Sequence, residues 1–218
     1  MGYLFVDIET FIDEKNNDTG LNPYYPESKV LVIAFNFYNS FILTEKNIIP
    51  PTVYKEWESS EKEILLKFYN FLQNKVQSDP HIKLVGFNHI KFDLPYLFGR
   101  LMHYKVDTPE NLHKTIFQTP HHIDLGQIGM ILSQRMLNKK EFYNVNHNEC
   151  CKFFEMPEKS EKGTKVSEYY KIKDYGKIEK YVNEDFVLEH LYILLRRFIH
   201  AKKTMEKIEG LKNEAKKK

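Results

Sequence analysis

Ile82-Lys83-Leu84-Val85-Gly86-Phe87-Asn88-His89-Ile90-Lys91-Phe92-Asp93-Leu94-Pro95-Tyr96-Leu97 is the stretch on which the architecture of this chain turns. Ile82 to Phe87 reads as a buried strand, and Phe92 to Tyr104 as a helix that carries Pro95 in its first turn, where the missing N–H does no harm. Between them, Val85-Gly86-Phe87-Asn88 forms the mouth of a strand-to-helix turn. In open α/β sheets ligands bind at such mouths. Asp93 begins the helix, a position where free N–H groups and the macrodipole also favour a carboxylate.

Towards the N-terminus, Tyr3 to Glu9 is a β-branched and aromatic run that begins the fold. Phe11 to Tyr25, rich in Asn and Asp with Gly20 and Pro23, reads as a loop. Lys29 to Tyr38 is the strongest strand signal, and Phe41 to Thr44 is expected to pair back to it across Asn39-Ser40, giving an antiparallel meander. Ser60-Glu61-Lys62-Glu63 is a capping box. The apolar positions Ile64, Leu65, Phe68, Phe71 and Leu72 then predict an amphipathic helix ending near Gln73. Beyond Ile123-Asp124-Leu125 the chain reads as mostly helical, with a polar loop over 158–165 and a long helix from about Tyr175 towards Lys203. Strands first, then helix, strand and helix, then further helices predict an α/β fold with helices packed on the faces of a central mixed sheet. The expected domain spans residues 1–200, followed by a lysine-rich tail, 201–218, with seven lysines against three glutamates.

Four acids stand in three separated settings along this frame. Asp7 and Glu9, two apart on a strand, leave the same face of the sheet, while Ile8 points into the opposite layer. Asp93 follows the strand-to-helix turn. Tyr181 and Asp185 are four apart on one helix and so point the same way. Taken singly, each has a plain structural role: an edge-strand acid facing solvent, a helix cap, a core tyrosine with a solvated helix acid. Glu184 and Glu189 are the better candidates for that solvated role. Taken together, four carboxylates repel one another unless cations sit between them. Hard divalent ions take such oxygen ligands, and pairs of them are a recurrent device for cutting phosphodiesters. The residues alone therefore read as a metal-dependent nuclease.

Bulk properties set the bounds. With 218 residues, 42% of them hydrophobic and 14% aromatic, one domain has enough apolar surface for a core, which argues against disorder. A formal charge of +2, from 32 basic and 30 acidic residues, neither demands nor excludes nucleic acid. Cys150 and Cys151 are adjacent and unsuited to a disulfide framework, which suits a reducing, cytoplasmic setting. The opening residues read as a strand and not as a signal peptide, and no stretch reaches the ~20 apolar residues of a membrane helix. His121, His122, His147, Cys150 and Cys151 lack the thiolate spacing of a tetrahedral zinc site; the cysteines are expected to pack a helix that includes Phe153 and Phe154.

The three acidic stretches, in this order, resemble the three motifs of the DEDD superfamily of 3′–5′ exonucleases, and Tyr181 resembles the tyrosine of its DEDDy branch. Gly86 to Leu97 is especially similar to the second motif in the proofreading exonuclease domain of family B DNA polymerases, and His122-Ile123-Asp124-Leu125 to a strand that follows it. The resemblance runs from about residue 3 to about residue 198, with no polymerase palm or fingers after it, and so points to a free-standing form. It implies a ribonuclease H-like fold, two Mg²⁺ or Mn²⁺ ions held by Asp7, Glu9, Asp93 and Asp185, and a water oriented by Tyr181. It also implies substrate contacts at Thr10, Asn88 and Phe92, with Phe92 packing against a base. The implied reaction releases nucleoside 5′-monophosphates from single-stranded or frayed DNA. The implied partners are single-stranded nucleic acid, DNA favoured over RNA, and a polymerase or repair protein, with no membrane. The alternatives are the same chemistry on RNA, a non-catalytic nucleic-acid-binding or polymerase-accessory module, and a ribonuclease H-type endonuclease. A binding module gains nothing from a cluster that repels phosphate, and the Tyr181/Asp185 pair favours the exonuclease branch.

Overall fold

The structure is a computed structural model that describes residues 1–11, 22–39, 43–136, 143–158 and 163–215; for residues 134–136, 185 and 202–215 it describes the backbone alone. Five strands form one sheet: β1 (Tyr3–Phe11), β2 (Lys29–Tyr38), β3 (Thr52–Lys55), β4 (Lys83–Gly86) and β5 (His121–Asp124), in the spatial order β3-β2-β1-β4-β5. β1, β2 and β3 make an antiparallel meander, whereas β4 and β5 join parallel to β1. This is the mixed, helix-flanked α/β sheet expected from the order of elements.

Strand alternation divides the core between two layers. Leu4, Val6 and Ile8 of β1 pack with α1 (Glu61–Ser78) and α2 (Asp93–His103). Tyr3 and Phe5 face the opposite way, towards α4 (Leu125–Met136), α5 (His147–Phe153), α6 (Thr164–Lys171), α7 (Tyr175–Asp185) and α8 (Leu188–Ala215). Between β4 and β5 the chain also forms α3 (Pro109–His113), capped by the Thr108 hydroxyl accepting from Asn111 N–H at 3.2 Å, and a π-helical turn over Lys114–Gln118. Covered on both faces, β2 is buried at every residue from Val30 to Phe35, which explains its uninterrupted apolar run.

Four expectations need correction. Of the expected strand Phe41–Thr44, residues 41 and 42 lie outside the described residues, and Leu43 and Thr44 are not in a strand. The strand that pairs with β2 is Thr52–Lys55, beginning straight after Pro50-Pro51, too short and too polar to stand out by periodicity. α1 continues past Gln73 to Ser78, because Val76, 8% exposed, adds another turn to the buried stripe. The long C-terminal helix is two helices, interrupted at Phe186 (ψ 76°), and the second runs beyond Lys203 to Ala215. Glu189 is not a solvated acid. It is fully buried, and its Oε1 accepts from Asn36 Nδ2 at 2.8 Å and Tyr38 Oη at 3.2 Å, docking the first turn of α8 on β2. Burial pushes its carboxyl above the usual range. Glu184 does hold the exposed position expected of it, 3.8 Å from Lys180 Nζ.

Glu61, read from sequence as part of a cap, is instead the hub of the α1–α2 layer. Its carboxylate accepts from Arg100 Nε and Nη2, each at 2.8 Å, from Val30 N–H at 2.8 Å and from Tyr104 Oη at 2.8 Å. Arg100 Nη1 donates to the carbonyls of Pro23 and Tyr25, so one buried guanidinium ties the segment before β2 to α2. Removing one partner of such a pair leaves a buried, uncompensated charge. Arg100→Leu is therefore expected to destabilise the fold by roughly 3–5 kcal/mol. Urea unfolding checks this: the midpoint should fall with the slope unchanged.

Candidate active site

β1 is the spine of the site. Asp7 and Glu9 are half-buried while Val6, Ile8 and Thr10 around them are buried, so the two acids share the face that carries Tyr3 and Phe5. The pairing with β2 shifts register between Glu9 and Thr10, an irregularity of the kind that re-aims side chains beside sites. Thr10 itself is 6% exposed, and its carbonyl accepts from Ser167 Oγ at 3.5 Å beneath α6.

The second stretch meets the first through a backbone contact. β4 pairs with β1 only at Tyr3, Leu4 and Phe5, while β2 accompanies β1 to Phe11. Beyond the end of β4, Ile8 N–H donates to Asp93 Oδ1 at 3.1 Å, and Asp93 is 3% exposed. One oxygen of Asp93 thus lies against the strand between Asp7 and Glu9. The turn that delivers it is tight. Asn88 adopts a left-handed conformation (φ 57°), which Asn tolerates, and its carbonyl accepts from Lys91 N–H and Phe92 N–H, both at 3.0 Å. Phe92 is half-buried against the α1–α2 layer, its ring 5.5 Å from that of Tyr96.

Asp124, which the sequence reading passed over as a strand residue, organises this turn. Its Oδ1 accepts from Asn88 N–H at 2.9 Å and Gly126 N–H at 3.0 Å, and its Oδ2 from Ile90 N–H at 3.2 Å. The available signal was an acid at a strand end two residues before a glycine. A side-chain carbon on Gly126 would stand 2.2 Å from Asn88 Oδ1, so a larger residue there would push that carboxamide aside. Oδ2 of Asp124 also lies 3.6 Å from Nδ1 of His89, a fully buried ring whose pKa burial pushes down to about 4.

The third stretch approaches from the helical layer. Tyr181 is 4% exposed, and a side-chain carbon placed on Gly163 would stand 3.8 Å from Tyr181 Oη and 4.0 Å from Glu9 Oε2. Hydroxyl and carboxylate therefore share one neighbourhood beside the start of α6. α7 is set in place by its own anchors: Tyr175 stacks on Trp57 with ring centroids 4.8 Å apart and planes 4° off parallel, and Glu179 pairs with Lys55 at 2.9 Å. Asp185 is the last residue of α7, and its side chain lies outside the described residues. Among the described residues no three His, Cys, Asp or Glu side chains converge closely enough to hold a metal ion. The set-aside cysteines are buried in α5, where Cys151 Sγ lies 3.6 Å from His147 Nδ1.

Beyond the ends of β4 and β5 a cleft of about 360 Å³ opens, lined by Asn88, Lys91, Gln127, Met130, Asn144 and Asn146 among others. Of these, only Asn88 was singled out by sequence reasoning.

Residues 26–217 match the model of a family described as a predicted 3′–5′ exonuclease related to the exonuclease domain of PolB. The matched stretch takes in Asp93, Tyr181 and Asp185 and begins after Asp7 and Glu9. No curated protein matches the chain in sequence. Among solved structures, the family B DNA polymerase from the hyperthermophilic archaeon Pyrobaculum calidifontis is similar at a TM-score of 0.57 and 17% identity, over 89% of this chain and 24% of the polymerase. A product-bound structure of exonuclease I is similar at a TM-score of 0.54 and 13% identity, over 90% of this chain and 43% of that protein. The chain thus spans less than half the length of either. At these identities the likeness speaks to the fold, which is the ribonuclease H-like fold expected from the sequence.

The depressed pKa of His89 fixes a pH dependence. Between about pH 6.5 and about 4 the unfolded chain protonates this imidazole and the folded chain does not, so stability is full above that window and falls as pH drops through it. Stability measured by urea unfolding across that range should decline, and in His89→Gln the decline should be shallower; an identical decline would remove His89 as its source.

Proposed function

The chain belongs to the family of predicted 3′–5′ exonucleases related to the exonuclease domain of PolB, and from that premise we propose that it removes nucleotides from the 3′ end of single-stranded or frayed DNA, releasing nucleoside 5′-monophosphates. The observation that carries this reading is the 3.1 Å contact between Asp93 Oδ1 and Ile8 N–H, which supports a joint role for the acids of β1 and α2.

The donors suit a hard divalent cation in kind: carboxylates leave one half-buried face of β1, and a third carboxylate is held against that strand. Asp7, Glu9, Asp93 and Asp185 would hold two Mg²⁺ or Mn²⁺ ions, which would acidify a water and offset charge on the leaving 3′ oxygen. The protein's own part is to position. Tyr181 Oη, in the neighbourhood of Glu9, would act as a positioner that orients the attacking water. The water oxygen bonds to phosphorus as the P–O3′ bond breaks, and the freed 3′ oxygen gains the proton that the water gives up. Asp93, through its bond to β1, keeps α2 in register with Asp7 and Glu9. Terminal nucleotides must be unpaired to enter, and the ring of Phe92 offers a sequence-tolerant stacking surface. Thr10, buried beneath α6, would contact the substrate chiefly through its backbone.

The test is digestion of matched 5′-labelled single-stranded DNA and RNA with Mg²⁺, Mn²⁺ or chelator. A metal-dependent ladder shortening from the 3′ end is expected, faster on DNA. Asp7→Ala should abolish turnover while leaving the thermal midpoint near that of the wild type, and Tyr181→Phe should slow cleavage by roughly 10²-fold. Absence of cleavage under every metal would favour a non-catalytic nucleic-acid-binding module, and unchanged turnover in Asp7→Ala would remove the assigned site.

A further inference from the structure

The cleft beyond β4 and β5 has a chemistry of its own. Its volume of about 360 Å³ lies within the roughly 300–1,000 Å³ of small-ligand sites. Four of its lining residues are carboxamides, Asn88, Gln127, Asn144 and Asn146, and one is a cation, Lys91. All five are exposed. Asn146 is partly committed, since its Oδ1 caps α5 by accepting from Glu149 N–H at 2.9 Å. Asn88 is held over the Gly126 backbone by its left-handed turn and the Asp124 clamp, so its side chain is presented on a fixed loop. The N–H groups at the start of α4 are already taken by Asp124, at 3.0 Å for Gly126 and 3.3 Å for Gln127. Anion binding at that helix end is therefore not what the cleft offers.

A carboxamide presents a donor beside an acceptor. Each nucleobase, when unpaired, presents a complementary donor and acceptor side by side on its Watson–Crick edge, and the same edge is consumed in a duplex. Carboxamides thus suit an unpaired base of any identity and reject a paired one. We propose that this cleft is a subsite for an unpaired nucleotide near the 3′ end, in which Gln127 and Asn144 hydrogen-bond the free base edge beside Asn88, and Lys91 meets the phosphate. This rests on the exonuclease reading and adds to it a physical origin for single-strand selectivity: the strand is recognised by base edges that pairing would hide. Met130 supplies the apolar floor that a base face needs.

The test compares binding of two oligothymidylates, one intact and one whose last three nucleotides are abasic, by fluorescence anisotropy with Ca²⁺ in place of Mg²⁺. The full chain should bind the intact strand about tenfold more tightly. In the double variant Gln127→Ala, Asn144→Ala that preference should collapse towards unity, whereas Lys91→Ala should weaken both strands alike and reduce the salt dependence. Both carboxamides are exposed, so the variants should keep the wild-type thermal midpoint. A wild type indifferent to the missing bases, or a double variant that keeps the full preference, overturns the subsite. The digestion of labelled strands by the unaltered chain with Mg²⁺ runs alongside: 3′ shortening there together with either overturning result removes the subsite and leaves the exonuclease reading standing. No shortening removes the exonuclease reading itself.

Discussion

The site depends on a mismatch in strand length. β1 runs to Phe11 beside β2, but its parallel neighbour β4 accompanies it only as far as Phe5. Past that point the edge of β1 would present backbone donors to a buried layer, and a buried N–H left unpaired costs about 1–3 kcal/mol. Asp93 supplies the acceptor for Ile8. A carboxylate can do so only if the chain leaving β4 turns back sharply, which the left-handed Asn88 achieves and the backbone bonds from Asn88 and Ile90 to Asp124 maintain. One unmet hydrogen bond in the sheet thereby fixes where α2 begins, and with it the spacing between the acids of the first and second stretches. Stability and chemistry share the same atoms here, because the oxygen that satisfies β1 belongs to a residue of the proposed metal site.

Much of this frame was legible in the sequence, for identifiable reasons. β2 matches its expected bounds because burial on both faces demands an unbroken apolar run. α2 was readable because Pro95 is tolerated only near a helix start, and α1 because Ser60 caps it by accepting from Glu63 N–H. The misses share another cause: tertiary contacts that leave no local pattern. β3 is four residues long and is held by its ladder with β2. The break at Phe186 involves neither Gly nor Pro, the usual punctuation, so nothing local announces it. Glu61 read as part of a cap and Glu189 as a solvated acid because a helix window cannot show that Arg100, 39 residues away, or Asn36, 153 residues away, will meet them. Of the candidate site, Asp7, Glu9 and Asp93 were singled out by setting and spacing, and Asn88 through the family resemblance. Asp124 and the other carboxamides of the cleft were not, since they come together only once the ends of β4 and β5 lie side by side.

The break between α7 and α8 has a purpose that an unbroken helix could not serve. α8 must begin where Glu189 reaches Asn36 and Tyr38 on β2, and α7 must lie where Glu179 meets Lys55 at the end of β3 and Tyr175 stacks on Trp57 just beyond it. These anchors sit on neighbouring strands, and a straight rod has one axis with which to meet both. Interrupting it at Phe186 lets each helix dock separately, and Tyr181 lies on the segment between the two anchorages. The buried carboxyl of Glu189, pushed towards its neutral form, lowers the cost of placing an acid at the junction.

The two sides of the site are therefore held by different physics. Asp93 is bound directly to the backbone of the central strand, so its position moves only if the sheet moves. Tyr181 shares the neighbourhood of Glu9 through packing of a helical layer beside Gly163, a residue with no side chain. Partly exposed pairs such as Glu179–Lys55 contribute little and are screened by salt, whereas the Glu61–Arg100 cluster on the Asp93 side is buried and bidentate. Local opening begins where buried contacts are fewest. On the Asp93 side that leaves little freedom, because the Ile8 bond and the buried Glu61–Arg100 cluster tie α2 to the sheet.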